Sequence, residues 1–447
     1  MYGKIVRATY QLLAKALGRG DFWRYYAELE KSQYLSSEEI RGIQLTRLKA
    51  LVNHAYENVP YYHKKFEQLG LKPTDIRTAD DLTKLPILTK KDIRANFKDL
   101  VAVNLPRKKM IPYSTGGSTG EPLQFYVTRE NSAWGSAAAY RAYKWYGYEM
   151  GDKIAYLWGA GRDLSAQRRM ANQLRNLFFR RIYLDAFNMS ETELNYFVSR
   201  FIKFKPKAII AYASAAYLLA RYVKQRGIGG ITPEVIITQA EKLFAHQRQL
   251  IKDVFGCQVF DFYGSREVGA IASECPRHNG YHISAENVVI EFMRANEPVP
   301  PGEVGKILVT DLTNYAMPFI RYENGDLGVP LDEACSCGIN LPLMKSIEGR
   351  ITDTLVIGDK FISSPALTLI FKDLPIKQYQ LIQEAEGKIV VKVVRGASYT
   401  DAHTEALRKL LRRYVGDIEV KIMFLDSILP PPSGKHRFII SKVPPKF

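Results

Sequence analysis

Between residues 153 and 262 the chain alternates apolar runs of strand length with stretches of helical spacing, and this alternation restricts the fold more than any other feature. Lys153 to Trp158, Lys207 to Tyr212, Glu234 to Thr238 and Cys257 to Phe262 read as strands; Ser214 to Gln225 and Lys242 to Phe255 read as the helices between them. Strands separated by helices cannot pair as tight hairpins, so a mainly parallel α/β sheet is expected. Residues 1 to 105 read as a helical lead-in, with apolar spacing in Glu39 to His54 and a helix start at Thr89-Lys90-Lys91-Asp92. Val304 to Thr310 adds a further β element. After Gly349-Arg350 come strand-like Thr354 to Ile357, Tyr379 to Gln383 and Ile389 to Val394, a helix from about Asp401 to Tyr414, and Ile418 to Phe424. A chain of 447 residues exceeds one ordinary core, so two domains are expected: 1–349, and a small α+β domain over 350–447.

Three segments carry the chemistry. In Tyr113-Ser114-Thr115-Gly116-Gly117-Ser118-Thr119-Gly120-Glu121-Pro122, glycines that let backbone N–H groups approach an anion alternate with the small hydroxyl donors Ser114, Thr115, Ser118 and Thr119. The loop suits phosphate, although a polar hairpin turn draws on the same residues. It is not a Walker loop, because Glu121 stands where that motif has lysine and a strand-like run follows. Asp261-Phe262-Tyr263-Gly264-Ser265-Arg266-Glu267 and Arg321-Tyr322-Glu323-Asn324-Gly325-Asp326 each put polar groups just past a strand-like run, where open α/β sheets hold their ligands.

Taken in order, the three segments resemble the adenylate-forming superfamily of acyl-CoA ligases. Ser32-Gln33, His54-Ala55-Tyr56-Glu57-Asn58-Val59-Pro60-Tyr61-Tyr62, Leu85-Pro86-Ile87-Leu88-Thr89-Lys90 and Ser433-Gly434-Lys435-His436-Arg437 look like its phenylacetate-CoA ligase branch, and within it like the CapK-like proteins linked to capsular polysaccharide synthesis. The resemblance runs from about residue 30 to the end. It implies a large adenylate-forming domain and a small mobile C-terminal lid. It also implies an enzyme that uses ATP and Mg²⁺ to adenylate a carboxylic acid and passes the acyl group to CoA. An amine or sugar acceptor is the alternative, and an inert scaffold of the same fold a further one.

The same resemblance assigns roles. Residues 114 to 120 would hold the β- and γ-phosphates; Tyr263, after which Gly264 follows, would stack on adenine, Ser265 meet the α-phosphate, and Glu267 help hold Mg²⁺. Asp326 would accept from the ribose hydroxyls. Arg350 would lie near the nucleotide, Asp353 would be the hinge, and Lys435 would reach the α-phosphate and the substrate carboxylate. Gly349-Arg350-Ile351-Thr352-Asp353 has one position more than the family's Gly-Arg-x-Asp, and Gly434-Lys435-His436-Arg437 is one shorter than Gly-Lys-x-x-Arg. Trp134, Tyr140, Trp158, Tyr212, Ala213 and Ser214 are expected to line the acyl pocket. Each role has a plainer competitor: Tyr263 as core, Asp326 as a turn residue, Lys435 as an exposed tail lysine.

The close-spaced pairs Cys275-Pro276-Arg277-His278 and Cys335-Ser336-Cys337 suit a closed tetrahedral zinc site, as in some members of this branch, formed by Cys275, His278, Cys335 and Cys337, with His282 as the alternative to His278. The net charge of +17 calls for an anionic partner, and ATP with CoA would supply one. Nucleic acid is not expected, since the basic residues are spread along the chain without a recognised binding motif. No run of about 18 apolar residues exists and Lys4, Arg7 and Lys15 interrupt the N-terminal apolar stretch, so a cytoplasmic address is expected. Alternation of Tyr2, Ile5, Val6, Tyr10, Leu12, Leu13 and Leu17 with those cations and Arg19 reads as an amphipathic helix, packed on the protein's own body or touching a membrane.

Overall fold

A computed structural model describes residues 2–16, 21–115, 123–158, 176–186, 189, 191–350, 354–357, 360–363, 371, 374–416, 418–429 and 438–443. The N-terminal part is helical: α1 (Tyr2–Ala16), α2 (Asp21–Ser32), α3 (Ser37–Asn58), α4 (Pro60–Leu69) and α5 (Lys90–Ala95). Ser36 and Glu39 cap the start of α3 reciprocally, and Thr89 and Asp92 do so for α5, at the start read from the sequence. A hairpin of β1 (Met110–Ser114) and β2 (Gln124–Thr128) follows, and then α6 (Arg129–Trp145), whose first turn is capped by Thr128.

The strands β3 (Ile154–Trp158), β4 (Arg181–Asp185), β5 (Ala208–Tyr212), β6 (Val235–Gln239) and β7 (Gln258–Ser265) run parallel, as the alternation predicts. Ala208-Ile209-Ile210-Ala211-Tyr212 is buried throughout because both faces are covered. Ile209, Ala211 and Ile236 pack against the helices Glu191–Phe204, Ala213–Arg226 and Ala245–Phe255; Ala208, Ile210 and Ile237 pack against α6. Beyond β7 the same sheet continues antiparallel through β8 (Gly269–Glu274), β9 (Tyr281–Ile283), β10 (Val288–Arg294), β11 (Glu297–Pro298), β12 (Gly305–Asp311), β13 (Tyr322–Leu331) and β14 (Leu343–Arg350). Most connections here are too short for a crossover helix, so the chain can only turn back on itself. The resulting order is β11-β10-β12-β13-β14-β9-β8-β7-β6-β5-β3-β4. Residues of α3 and α4, among them Leu48, Leu51 and Phe66, share a core with Phe125 of β2, Val309 and Tyr322 of the antiparallel half, and Phe319 between β12 and β13.

After β14 come the hairpin β15 (Thr354–Ile357) and β16 (Lys360–Ser363), and a sheet ordered β19-β18-β17-β20 from β17 (Ile376–Ala385), β18 (Lys388–Arg395), β19 (Glu419–Phe424) and β20 (Ile439–Ser441). The helix Asp401–Val415 lays Leu407 and Leu411 against Leu381, Val391 and Val393, which gives this sheet a core of its own. Among the described residues no helix is long and apolar enough to cross a membrane.

Candidate functional site

The parallel strands present their carboxyl ends at Trp158, Tyr212 and Gln239, and β7 extends past its parallel neighbours to Ser265. Tyr263, buried near that end, donates its hydroxyl to Asp326 Oδ2 at 2.8 Å, across 63 residues of sequence. Asn324 Nδ2 donates to both of them, at 2.7 Å to the Tyr263 oxygen and 3.0 Å to Asp326 Oδ2. The Asn324 carbonyl oxygen accepts from the Asp326 backbone N–H at 3.0 Å, so the side chain folds back on its own strand and fixes the carboxylate beside the ring. Glu267, buried in the turn between β7 and β8, accepts from the Tyr322 hydroxyl at 2.9 Å. Ser265 Oγ accepts from Val268 N at 3.2 Å, which closes that turn. Gly264 has no room for a side chain, since a Cβ would stand 2.5 Å from the Gly269 carbonyl oxygen. Arg350 stands opposite Asp326 in the β13–β14 register. Tyr263, Glu267, Asp326 and the backbone of Arg350 therefore come from three segments distant in sequence and meet at one end of the sheet.

The neck of the glycine loop is pinned: Thr115 N donates to Leu123 O and Leu123 N donates to Thr115 Oγ1, each at 2.9 Å, while Ser114 Oγ donates to Thr115 O at 3.3 Å. Gly116, Gly117, Ser118, Thr119 and Gly120 lie outside the described residues, as do Asp353 and Lys435.

Trp158 and Tyr212 stack at 4.3 Å across the ends of β3 and β5, with Ala213 and Ser214 opening the next helix. Trp134 and Tyr140, expected beside them, belong to the core against which Trp158 also packs. Trp134 stacks on Tyr25 of α2 at 3.8 Å under the Arg47 guanidinium, and Tyr140 packs on Phe22 and accepts from Arg181. The inner face of α6 has to fill the space beneath α2, and these two rings do so. Sequence reading passed over Asn324, Tyr322 and the segment after β6. There, Ala240 holds a left-handed φ of 67°, strain that a non-glycine residue keeps only where its surroundings impose it. Glu241 Oε2 accepts from Ser214 N at 2.9 Å, and Lys242 donates to Glu348 at 3.2 Å, next to Gly349-Arg350 at the end of β14. A polar run directly after a buried strand was the available signal.

The sulfur and nitrogen donors of Cys275, His282, Cys335 and Cys337 all lie within 4.8 Å of one another. His282, not His278, joins the three cysteines. The β8–β9 register sets His282 opposite Ser273, pointing inward, whereas His278 sits in the intervening turn at φ 58°, bonded to Glu274 at 2.9 Å and stacked on Phe260. His282 Nδ1 meets Leu341 O at 3.0 Å, which makes it the protonated nitrogen and leaves Nε2, 3.2 Å from Cys337 Sγ, to face the cluster. Burial holds the imidazole pKa down at about 4, opposed by the hydrogen bond to Leu341 and aided by a smaller contribution from the nearby Arg141 cation, so it is neutral at pH 7. Backbone N–H groups of Arg277 and Ile339 point at the sulfurs of Cys275 and Cys337. This donor set fits a closed, tetrahedral zinc ion.

Residues 358–442 match the family model of the CapK C-terminal domain. Over 388 residues the chain is 28% identical to a phenylacetate-coenzyme A ligase of Thermus thermophilus, an alignment covering 82% of each protein. It is 24% identical to protein CapK of Staphylococcus aureus, covering 94% of this chain and 92% of that one. Among solved structures it is similar to 2-hydroxyisobutyryl-CoA ligase in the postadenylation state, with a TM-score of 0.75 at 19% identity over 92% of this chain and 91% of that one. The resemblance read from the motifs is borne out: the chain is related to phenylacetate-coenzyme A ligases and to CapK, and its mixed α/β fold with a further C-terminal sheet is that of the adenylate-forming ligases.

Proposed function

We propose that this chain is an AMP-forming ligase that activates a carboxylic acid as its acyl-adenylate with ATP and transfers the acyl group to CoA. One observation carries the reading: the hydrogen-bonded group Tyr263–Asn324–Asp326, with Glu267 held by Tyr322 beside it, at the end of an α/β sheet whose relatives are CoA ligases. In this reading the Tyr263 ring is the adenine platform, Asp326 takes the ribose hydroxyls, and Ser265 with the loop from Ser114 to Gly120 takes the phosphates. Glu267 would hold Mg²⁺, whose charge would neutralise phosphate oxygens. Arg350 and Lys435 add cations where two anions must be brought together, and positioning with electrostatics does most of the chemistry. The domain division at 349/350, with Asp353 as hinge, belongs to the same proposal and is supported by the separate core of the C-terminal sheet.

Pyrophosphate exchange over a panel of aromatic, fatty and sugar acids tests the first half-reaction without assuming an acceptor. Exchange with at least one acid is expected, and none with any acid would leave only the scaffold alternative. Product formed without CoA from an amine or sugar would instead favour the second acceptor class. We assign Cys275, His282, Cys335 and Cys337 to a structural zinc that ties the β8–β9 hairpin to the segment after β13; elemental analysis is expected to give about one zinc per chain, and a value near zero removes the assignment. Peripheral membrane contact through α1 completes the partner reading, since Ile5 and Leu12 on that helix are exposed while Val6 is buried.

A further inference from the structure

The stretch that leaves β6 leads along the sheet end to a fixed aromatic ring. Gln239, the last residue of β6, stands opposite Phe262 of β7, directly before Tyr263. Lys242 is tied to Glu348 of β14, two residues before Arg350, which stands opposite Asp326. Leu243 packs in the core that holds Ile236 and Ile251. Phe244 then opens the helix Ala245–Phe255: its N–H donates to Gln247 Oε1 at 3.1 Å and its carbonyl oxygen accepts from Arg248 N at 2.9 Å. Held on both sides, the Phe244 ring is 7% exposed.

One neighbour of that ring comes from the other sheet. His246 stacks on Phe244 at 6.0 Å, and Phe438 meets it edge-on, with ring centres 6.3 Å apart and planes at 86°. Phe438 is the residue before β20. Its carbonyl oxygen accepts from Leu381 N at 2.8 Å, and its ring lies 5.0 Å from Tyr379 of β17, so its backbone and one side of its ring belong to the C-terminal sheet. A single aromatic side chain thus bridges two separately cored sheets. Edge-to-face rings at this spacing attract each other, by an amount that biases a two-position equilibrium without locking it. The place of Phe438 in the chain gives the bridge a use. It stands three residues after Lys435, on the order of 10 Å of chain at full stretch. With Phe438 seated on Phe244, the lysine is tethered to the stretch that runs back to the end of β6.

We propose that Phe244 and Phe438 are positioning residues for acyl-adenylate formation: their contact docks the C-terminal sheet on the large one and so sets Lys435 beside the nucleotide groups. The assignment rests on the ligase reading and deepens it by naming the seat and the ring that occupies it. Both residues act through the lysine. Transfer of the acyl group to CoA has no carboxylate attacking a phosphate, so it does not call on that lysine and does not depend on the ring pair.

The two half-reactions, measured separately on the full chain with an acid that the parent accepts, test it. Phe244→Ala and Phe438→Ala should each lower kcat of acid-dependent pyrophosphate exchange about tenfold, the scale of a buried ring pair, while KM for ATP stays close to the parent's. The double variant should lose no more than either single one, because both remove the same contact. Transfer to CoA from preformed acyl-adenylate should keep the parent's rate. Thermal melting checks the fold, and Phe244→Ala decides the matter, since Phe438 also packs on Tyr379 within its own sheet. Unchanged exchange in Phe244→Ala overturns the docking pair. So do losses that add up in the double variant, and so does a fall of both half-reactions together, which would make Phe244 a support of the large sheet. A parent that exchanges pyrophosphate with no acid removes the ligase reading itself, and the docking assignment falls with it.

Discussion

Asn324 holds the two groups on which the proposed nucleotide site depends. It donates to the Tyr263 oxygen and to Asp326 Oδ2, so the ring and the carboxylate are set before any ligand arrives. Asn324→Ala removes both bonds but leaves Tyr263 and Asp326 in place. ATP affinity is expected to fall about tenfold, as two such bonds imply, with the melting temperature nearly unchanged; calorimetric titration of ATP measures the first, and unaltered affinity would reduce Asn324 to a strand residue. Tyr263, Glu267 and Asp326 were legible in the sequence because their motif types and order name them. Asn324 was not, because its partners are set by how β13 meets the end of β7. His278 shows the same limit: Cys-x-x-His spacing favoured it, and the hairpin register selected His282. Asp261 behaves differently again. Burial raises its pKa to about 6, while Thr238 and Tyr281 donate to its two oxygens. The folded state therefore binds a proton more tightly than the unfolded state, and stability is expected to fall as pH rises from about 4 to about 6, by on the order of 3 kcal/mol. Asp261→Asn should flatten that slope in urea melts across this range, and an unchanged slope would mean that Asp261 is already ionised in the fold.

Among elements, the buried parallel strands were the easiest to read. Continuous apolar runs between helices mark β3, β5, β6 and β7 to within a residue at their starts. The edge strand β4 escaped notice because Arg181, Tyr183 and Asp185 alternate with apolar residues beside a basic tract, and an edge needs only one partner. Strands β8, β9, β10 and β14 were missed for another reason: some carry buried polar residues, such as Glu274 and His282, and they are fixed by their neighbours more than by their own composition. How α2 and α6 are joined to the antiparallel half was equally hidden. Arg141 on α6 meets Glu286 at 2.6 and 3.3 Å, and Ser32 at the end of α2 donates to the same carboxylate at 2.6 Å, all fully buried. Arg141→Met alone would strand a buried carboxylate and is expected to destabilise the protein by about 3–5 kcal/mol. Adding Glu286→Gln should recover part of the loss; chemical denaturation of the three proteins checks both, and a single variant as stable as the parent would show the pair to be dispensable.

For the whole molecule, the proposal asks two separately cored sheets to serve one substrate. The nucleotide groups lie at the end of the large sheet, and the cation expected to complete them, Lys435, comes from the stretch just before β20, which pairs with β17 in the C-terminal sheet. A point charge is needed when the acid attacks the α-phosphate, since carboxylate and phosphate repel. It is not needed to hold adenine, ribose and the outer phosphates, which Tyr263, Asp326 and the loop from Ser114 to Gly120 would grip in its absence. Division of labour between the sheets therefore predicts a split in the Lys435→Ala variant. Acid-dependent pyrophosphate release should fall about a hundredfold or more, while ATP binding measured by titration stays within a few-fold of the parent. A variant that turns over normally would remove Lys435 from the reaction, and one that loses both properties together would place the lysine in nucleotide binding instead. The distinction reaches the domain proposal as well, because a lysine that matters only for the acid's attack has to arrive after ATP is bound, and arrival of that kind requires the C-terminal unit to move as a body.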